Sequence, residues 1–368
     1  MKVLSLVWFQ VLPARFGGQK GIALFNEYLG RRVPLTCLCS TNNEVPRGAS
    51  YAVRPELPAT QKQFLQPAIW RAIEAAAREE GATHLLLEFP YHALAAFRLR
   101  RRTGIRVILH EHNIEYLRFR ALRKPWWPLL RRYEGWACRN ADLVLFKTEG
   151  DRDHAISVFG TDPARTLIVP YGIEPQPPSG NPEDLRAALG IGADTALLLF
   201  AGTLDYAPNA KAVEAIYAQL VPALEARGLD YRIVVCGRNR SGDFHYLNAL
   251  EHPRVIRAGE VPDIAPYFAA ADVFINPVLS GGGVQTKVLD ALAQHNTVVS
   301  FAFGAQGIDG SVAGGKLHCV PDGDWSAFAA AVEENLGRWG HTPDAFFERY
   351  GWEGITARVQ ERLNLLAR

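Results

Sequence analysis

The sequence carries almost no net charge, because 40 lysines and arginines balance 38 aspartates and glutamates and leave +2 over 368 residues. Proteins that bind nucleic acid non-specifically carry a large excess of positive charge, so this balance argues against nucleic acid as a partner. Long apolar runs are also missing, and no stretch reaches the roughly 18 residues that predict a membrane-spanning helix. The first apolar run, residues 3–9, has no cleavage site after it, and we expect a strand there rather than a signal peptide.

Cysteine is scarce. The chain has five cysteines, Cys37, Cys39, Cys138, Cys236 and Cys319, and several of them lie in apolar runs. This usage indicates buried, reduced thiols in a cytoplasmic protein. No cluster of cysteine and histidine has the spacing of a zinc site. The GxGxxG fingerprint is missing as well, which disfavours a nicotinamide-dependent dehydrogenase.

The chain is too long for one ordinary core, and at 48% hydrophobic and 21% charged residues it is globular. Short apolar runs alternate with segments of helical periodicity, which predicts an α/β protein with two doubly wound sheets. A proline-rich linker at 171–182 divides them, so we predict domains over 1–172 and 173–351 with a ligand cleft between them. The last helix, about 352–368, is expected to pack back on the first domain. The polar segment 40–60 is predicted to be a loop.

The most informative stretch is 272–304, where a strand, a glycine loop, a helix and a second strand follow one another. Gly281, Gly282 and Gly283 allow a sharp turn and close approach of a ligand to backbone N–H groups at the start of a helix, a place that attracts anions. Lys287 lies one turn further and could reach a phosphate oxygen. Asp290 lies on the same helix face and could accept hydrogen bonds from sugar hydroxyls. The alternative is a tight turn followed by a solvated lysine and aspartate.

Two other places combine strand ends with suggestive residues. Gly17 and Gly18 stand between the first strand and a helix predicted from about residue 19, where an ordinary turn is the alternative. The segment 110–115, which contains His112, is expected just beyond the strand 105–109. Ligands of doubly wound sheets bind beyond the carboxyl ends of strands, so its histidines and glutamates suggest a metal site or acid–base chemistry. The alternative is polar capping of the next helix.

Together these motifs resemble the glycosyltransferases of family 4, also called group 1, which have the two-domain GT-B fold. The resemblance spans most of the chain. The matching residues of the carboxyl half are Gly202, Thr203, Leu204, Pro208, Asn209, Gly259, Glu260, Val261, Ala271, Asp272, Val273, Pro277, Gly281, Gly282, Gly283, Val284, Thr286, Lys287 and 290–293. Those of the amino half are Gly17, Gly18, 112–115, 142–144 and 169–173.

The resemblance implies two Rossmann-like domains that face each other across a cleft, with the donor on the second. Lys287 would bind the donor diphosphate, the backbone of Glu260 and Val261 would contact the base, and His112 would be the catalytic histidine of the first domain. The chain departs from the family at three of the remaining donor-binding positions. Gly282 replaces the first of the family's two glutamates, and Asp290 replaces the second, which holds the ribose. Thr203 follows Gly202 where the family has arginine, and Arg238 could supply the missing charge.

The implied activity is transfer of a sugar from a nucleotide-diphosphate sugar to a saccharide or lipid-linked saccharide acceptor. Retention at the anomeric carbon is implied, with no cofactor and no required metal. Two alternatives remain open. One is a nucleotide-sugar epimerase of the same fold, and the other is an inactive protein that binds nucleotide sugars, which the altered glutamates suggest.

The segment 97–139 is strongly basic. It holds twelve lysines and arginines against three acids, a local net charge of +9. Trp126, Trp127, Leu129, Leu130 and Trp136 are interleaved with the cations, as at membrane interfaces. This pattern suggests a surface for anionic lipid and a cytoplasmic enzyme peripheral to the inner face of the membrane. The alternative is a core-facing helix with a solvated basic face.

Overall fold

In the computed structural model, the described parts of the chain are residues 1–14, 17–174, 181–240, 242–338 and 340–366, except for the side chains of 61–62. The chain forms two compact units, Met1–Gly172 with Tyr350–Arg368, and Ile173–Arg349. Within the predicted linker, residues 175–180 lie outside the described residues. The helices of the described parts include none long and apolar enough to cross a membrane.

The first unit is built on a seven-stranded parallel sheet with the strand order β3-β2-β1-β4-β5-β6-β7. Its strands are β1 Val3–Val7, β2 Leu35–Ser40, β3 Ala52–Leu57, β4 His84–Glu88, β5 Arg106–Glu111, β6 Leu143–Phe146 and β7 Thr166–Ile168. Its helices before the linker are α1 Gly17–Gly30, α2 Pro67–Glu79, α3 Ala93–Thr103, α4 Glu115–Ala121, α5 Trp127–Asn140 and α6 Glu149–His154. A single-turn π-helix, Ala155–Phe159, continues α6.

The second unit has a six-stranded parallel sheet with the order β10-β9-β8-β11-β12-β13. The strands are β8 Ala196–Ala201, β9 Tyr231–Cys236, β10 Val255–Gly259, β11 Val273–Asn276, β12 Thr297–Phe301 and β13 Leu317–Val320. The helices are α7 Pro182–Ala188, α8 Ala207–Ala215, α9 Val221–Glu225, α10 Ala265–Ala270, α11 Thr286–Ala293, α12 Trp325–Asn335 and α13 Asp344–Tyr350. The last helix of the chain, α14 Trp352–Leu366, belongs to the first unit.

The central strands are buried along their whole length because helices cover both faces of each sheet. All five residues of β1 are buried, as are those of β4, β11 and β12. Residues of β1 pair in parallel with both β2 and β4, so the strand order reverses direction beside β1. This is the doubly wound α/β arrangement that the alternating pattern predicts, and it occurs in both units.

The prediction of a loop over 40–60 is wrong for part of its length. Strand β3 pairs with β2 at the edge of the first sheet, from Ala52 opposite Thr36 to Leu57 opposite Ser40. Its polar sequence does not have the apolar alternation that predicts a strand, because an edge strand is half-exposed. An edge strand also tolerates Pro55, which has no N–H to donate. Arg54 pairs locally with Glu56 at 2.8 Å, and the fold adds the carboxylates of Glu79 and Glu80 at 2.8 and 3.2 Å.

Helix α14 completes the first unit by packing on α1. Trp352 is 1% exposed and lies in the same core cluster as Phe25 of α1. Arg32, just after α1, donates to a carboxylate oxygen of Glu353 at 2.8 Å and to the Thr356 hydroxyl at 3.1 Å. The indole of Trp352 also lies against the backbone of Gly172, where an added Cβ would be 2.2 Å from the ring. Only glycine fits here, between the backbone that follows β7 and the last helix.

We predict that Gly172→Ala destabilises the protein by about 3 kcal/mol, because the methyl group cannot fit without moving a fully buried indole. Urea unfolding monitored by circular dichroism measures the change. Gly150→Ala is the control in the same unit, since its Cβ would approach nothing closer than 3.9 Å and it lies in α6. That variant should be neutral or stabilising by up to about 1 kcal/mol. Equal unfolding free energies for the two variants would contradict the proposed clash.

Candidate functional site

The glycine loop lies between β11 and α11 in the second unit. Gly281 and Gly283 have φ values of 126° and 75°, in the region where other residues are strained. A Cβ added at Gly282 would meet nothing within 4 Å, and the N–H of Gly282 lies 3.4 Å from the hydroxyl oxygen of Tyr206. The backbone therefore requires glycine at the two outer positions, whereas the central position has room for a side chain.

Lys287 is the second residue of α11, and its side chain turns inward rather than into solvent. Its Nζ donates to Oδ1 of Asn209 at 2.6 Å and lies 4.5 Å from the centre of the Phe200 ring. The residue is half-buried, and burial lowers the pKa of the ammonium to about 7. Among the described residues it has no carboxylate partner within 4 Å. This cation is held by an uncharged acceptor, which leaves its charge available to an anion.

Asn209, in the first turn of α8, links this lysine to the end of β8. Its Nδ2 donates to the carbonyl of Thr203 at 2.8 Å. A Cβ at Gly202 would lie 2.8 Å from the same nitrogen, and one at Gly237 would lie 1.9 Å from the carbonyl oxygen of Gly202. The ends of β8 and β9 and the start of α8 thus meet at distances that only two glycines permit. Gly202, Thr203, Asn209 and Lys287 form one contiguous group.

Arg238 joins this group through a second set of contacts. Its Nε lies 3.3 Å from the Thr203 hydroxyl and 3.0 Å from a carboxylate oxygen of Asp205. Asp205 also accepts from the backbone N–H of Arg240 at 2.7 Å, and the Arg240 guanidinium lies 2.6 Å from Glu260. A chain of polar contacts therefore runs from Thr203 to the exposed Glu260, beyond β10 at the sheet edge. Arg238 is not an unpaired charge, because Asp205 neutralises it.

The remaining predicted site residues lie at exposed or half-buried positions, or in the first turn of a helix. Asp290 is exposed on α11 one turn beyond Lys287, and Val284 in the glycine loop is half-buried. Val261 follows Glu260 and is also half-buried. Gly17 and Gly18 form the first turn of α1, which begins two residues earlier than predicted.

In the first unit, three side chains meet at the carboxyl ends of β4 and β5. His112 Nε2 lies 2.5 Å from Oε2 of Glu88, and His110 Nδ1 lies 3.0 Å from the same oxygen. The expectation that His110 and Glu111 lie beyond the strand is wrong. Strand β5 continues through both, pairing His110 with Glu88 of β4 and Glu111 with Phe146 of β6. His112 is the first of the group to leave the sheet.

The Glu88 carboxylate is fully buried and charged. Burial alone would raise the pKa of Glu88, but the two imidazoles lower it further than burial raises it. Burial lowers the pKa of His110 to about 3 and lowers that of His112, which Glu88 partly counteracts. Lys147, just after β6, is buried. Burial lowers its pKa to about 8, and the Glu88 carboxylate partly counteracts this effect. The Glu88 carboxylate thus orients the His112 imidazole, and the buried Lys147 interacts with this carboxylate electrostatically without a hydrogen bond.

These three residues are also the one group in the described part of the chain whose ligand atoms have a metal-like spacing, within 4.8 Å of one another. Two nitrogens and a carboxylate oxygen suit zinc or another transition metal. The nearby charge of Lys147 opposes a cation, however, and Glu88 Oε2 is already shared by both imidazoles. The hydrogen bond between Glu88 and His112 accounts for one edge of this group, whereas both ring nitrogens of His110 and Oε1 of Glu88 are buried without a hydrogen-bond partner within the described ranges of the chain.

The alternative of helix capping by residues 110–115 is wrong. The N–H groups of Glu115 and Tyr116, at the start of α4, are bound by the carboxylate of Glu134 at 2.6 and 2.9 Å. Glu134 comes from α5, and no local pattern indicated it. Glu111 points elsewhere, with Oε1 3.7 Å from the Cys138 sulfur, and burial raises its pKa.

Sequence reasoning also missed Glu88, Lys147 and Asp205. Glu88 ends β4 and Lys147 follows β6, so the rule that led to His112, polar residues at carboxyl ends of adjacent strands, would have found both. Asp205 follows β8 in the same way. Strand order was needed to know that these ends are neighbours.

Comparison with known proteins identifies the family. The family described as Glycosyltransferase Family 4 matches residues 17–177, and that described as Glycosyl transferases group 1 matches residues 195–337. D-inositol 3-phosphate glycosyltransferase from Kineococcus radiotolerans is 28% identical over 215 residues, which cover 53% of this chain and 49% of that protein. The match thus spans about half the length of that relative.

Similar solved structures extend over the whole chain. Sucrose-phosphate synthase from Thermosynechococcus elongatus has a TM-score of 0.72 at 18% identity, covering 100% of this chain and 99% of that one. A glycosyltransferase from Rickettsia africae has a TM-score of 0.72 at 12% identity, with 100% and 99% covered. Anabaena HepE in complex with UDP-glucose has a TM-score of 0.69 at 14% identity, with 98% and 99% covered. At such identities the likeness shows the fold, which is GT-B. Because the two family matches together span most of the sequence, the chain belongs to the group 1 glycosyltransferases of family 4.

Proposed function

We propose that this protein transfers a sugar from a nucleotide-diphosphate sugar to a saccharide or lipid-linked saccharide. The observation that carries the proposal is Lys287, a half-buried lysine at the start of a helix, directly after a glycine loop, for which the described residues provide no carboxylate partner. The HepE structures of the same fold hold UDP or UDP-glucose, which supports a nucleotide-sugar donor.

The chemistry of transfer needs what the second unit offers. Cleavage of the glycosyl–diphosphate bond leaves negative charge on the departing diphosphate, and Lys287 with the loop N–H groups would stabilise it. Asp290 would hold the ribose, and the backbone at Glu260 and Val261 would contact the base. We propose retention at the anomeric carbon, as family membership implies, and no cofactor or metal. Because Gly282 has no side chain, backbone N–H groups of the loop would contact the donor sugar instead.

In the first unit we propose His112 as the catalytic histidine and Glu88 as the residue that positions it. With Nε2 directed at Glu88, the Nδ1 edge of the ring is left for a substrate hydroxyl. We further propose that segment 97–139 holds the enzyme at an anionic membrane on the cytoplasmic side. Four of its twelve cations are paired with acids in the fold, namely Arg100, Arg102, Arg106 and Arg118.

The overall proposal is tested by a donor screen followed by product analysis. A bound donor should raise the melting temperature by mass action. The labelled donor that does so is then incubated with and without saccharide acceptors. Transfer only in the presence of an acceptor supports the proposal. An isomerised nucleotide sugar formed from donor alone would establish the epimerase instead, and binding without turnover over all acceptors would establish an inactive binding protein.

Lys287→Ala should lower kcat/KM by about 100-fold, because it removes a charge that interacts most strongly with the departing diphosphate. Lys211→Ala, an exposed lysine on α8, is the charge-matched control. Steady-state kinetics with saturating acceptor measure both. Near-normal turnover in a folded Lys287→Ala protein would remove the diphosphate assignment.

Binding of UDP should also depend on pH. Because the pKa of Lys287 is about 7 in the protein and a diphosphate needs the ammonium form, binding must raise this pKa and take up a proton. Affinity should therefore fall by up to about tenfold per pH unit between pH 7 and pH 9. Titration calorimetry in buffers of different ionisation enthalpy measures the proton uptake. A Lys287→Met protein should show neither effect, and wild-type binding without proton uptake would contradict the assignment.

His112→Ala should lower kcat by about 100-fold or more and leave UDP affinity nearly unchanged, since the nucleotide is proposed to bind the second unit. Glu88→Gln should lower kcat less and move the acidic limb of the pH–rate profile to lower pH, because Glu88 raises the pKa of His112. His154→Ala, a half-buried histidine of the same unit, is the control. Normal turnover of His112→Ala would leave that histidine a structural residue.

A further inference from the structure

A pocket in the first unit lies outside the residues proposed for catalysis and donor binding. It has a volume of about 380 Å³ and is formed where α5 meets the π-helical turn after α6. We call it the arginine pocket. Its lining includes Trp127, Arg131, Arg132, Arg139, Val158 and Phe159.

The three arginines differ from the other cations of segment 97–139 in lying together without acids. In the described parts of the chain, no carboxylate comes within 4 Å of any of them. All three are exposed. Three unneutralised guanidinium groups around one concavity repel each other, and an anion in the pocket would relieve that repulsion. Guanidinium groups match the oxygens of phosphate in particular, since each offers two parallel N–H donors.

The pocket is built on fixed elements. Phe159 is buried, and its ring packs so closely on α5 that a Cβ at Gly135 would lie 2.9 Å from it. Arg139 Nη1 donates to the carbonyl of Phe159 at 2.5 Å, which anchors that guanidinium while its other donors remain. The Arg131 guanidinium lies over the Tyr116 ring, 5.7 Å from its centre. These contacts hold two of the three charges, those of Arg131 and Arg139, in place before a ligand arrives.

Three large apolar side chains are exposed on or next to the elements that form the arginine pocket. Trp126 is 48% exposed just before α5, and Leu129 is 68% exposed on α5, one turn before Arg132. Val158 lines the pocket itself and is 37% exposed. By contrast, Trp127 packs against the core. Exposed tryptophan and leucine beside arginines suit the boundary between phosphate headgroups and acyl chains.

We propose that the arginine pocket binds the phosphate of a membrane lipid headgroup, with Trp126 and Leu129 in contact with the lipid surface. The inference rests on the proposed membrane association of segment 97–139 and names the site and the chemistry within it. It differs from a diffuse basic surface in one respect: arginines of the pocket should matter more than equally exposed arginines of the same segment.

The test compares two double variants that each remove two positive charges. Arg131→Gln with Arg132→Gln removes pocket charges, whereas Arg98→Gln with Arg101→Gln removes exposed charges of α3 that lie outside the pocket. Arg139 is left intact because it supports Phe159. Co-sedimentation is measured with vesicles of phosphatidylcholine alone and with added phosphatidylglycerol, and thermal unfolding checks that each variant is folded.

We expect wild-type binding to need phosphatidylglycerol, the pocket variant to bind about tenfold more weakly, and the α3 variant to lose less than about threefold. Equal losses in the two variants would overturn the pocket and leave a diffuse electrostatic surface. Absence of wild-type binding to either vesicle would overturn it as well. Soluble glycerol 3-phosphate is the last arm: calorimetric binding that requires the pocket arginines, without vesicle binding, would overturn the lipid assignment.

Because these measurements use no donor, they are independent of glycosyl transfer. A failed transferase assay with pocket-dependent vesicle binding would leave the arginine pocket in place. Normal transfer to soluble acceptors with variant-independent vesicle binding would overturn the pocket alone.

Discussion

Parallel pairing of every strand is the constraint on which both units depend. Parallel strands require a crossover after each strand, the crossovers place helices on both faces, and the polar side chains are left at the carboxyl edge. In the first unit this edge collects Glu88, His112 and Lys147 from three successive strands of the sheet. In the second it collects the ends of β8, β9 and β11, with the glycine loop and α11. The candidate groups are therefore consequences of topology.

At the carboxyl edges of both sheets, ionisable side chains are partly or fully buried: Lys287 in the second unit, and Glu88 and Lys147 in the first. Burial makes the ammonium of Lys287 less favourable in the folded protein than in the unfolded chain, which lowers its pKa to about 7. Between about pH 7 and pH 10.5 the unfolded chain therefore binds more protons at this lysine, so its contribution to stability rises with pH across that window. At neutral pH the residue opposes folding, and a bound diphosphate would remove that cost. In the first unit, the Glu88 carboxylate raises the pKa of the buried Lys147 and so partly offsets the effect of burial.

The basic segment 97–139 shows how a fold separates cations that look alike in sequence. Arg102 pairs with Glu74 of α2 at 3.0 Å, and Arg118 pairs with Glu115 on its own helix at 2.7 Å. Tryptophans divide in the same way, since Trp127 and Trp136 pack on the core while Trp126 is exposed. The core-facing alternative thus holds for part of the segment, and the surface left over is smaller and more sharply defined.

The sequence by itself determined the α/β class, the strand–glycine loop–helix–strand order of 272–304 and the family, because apolar periodicity and glycine spacing are local properties of the chain. It did not reveal edge strand β3, whose Arg54 pairs with Glu79 and Glu80 at the end of α2 as well as with Glu56 in its own strand. Nor did it show that Asn209 holds Lys287, that Glu88 orients His112, or that Glu134 rather than 110–115 caps α4. Those pairings were decided by tertiary structure alone, since strand order and helix packing bring together residues that no sequence spacing connects.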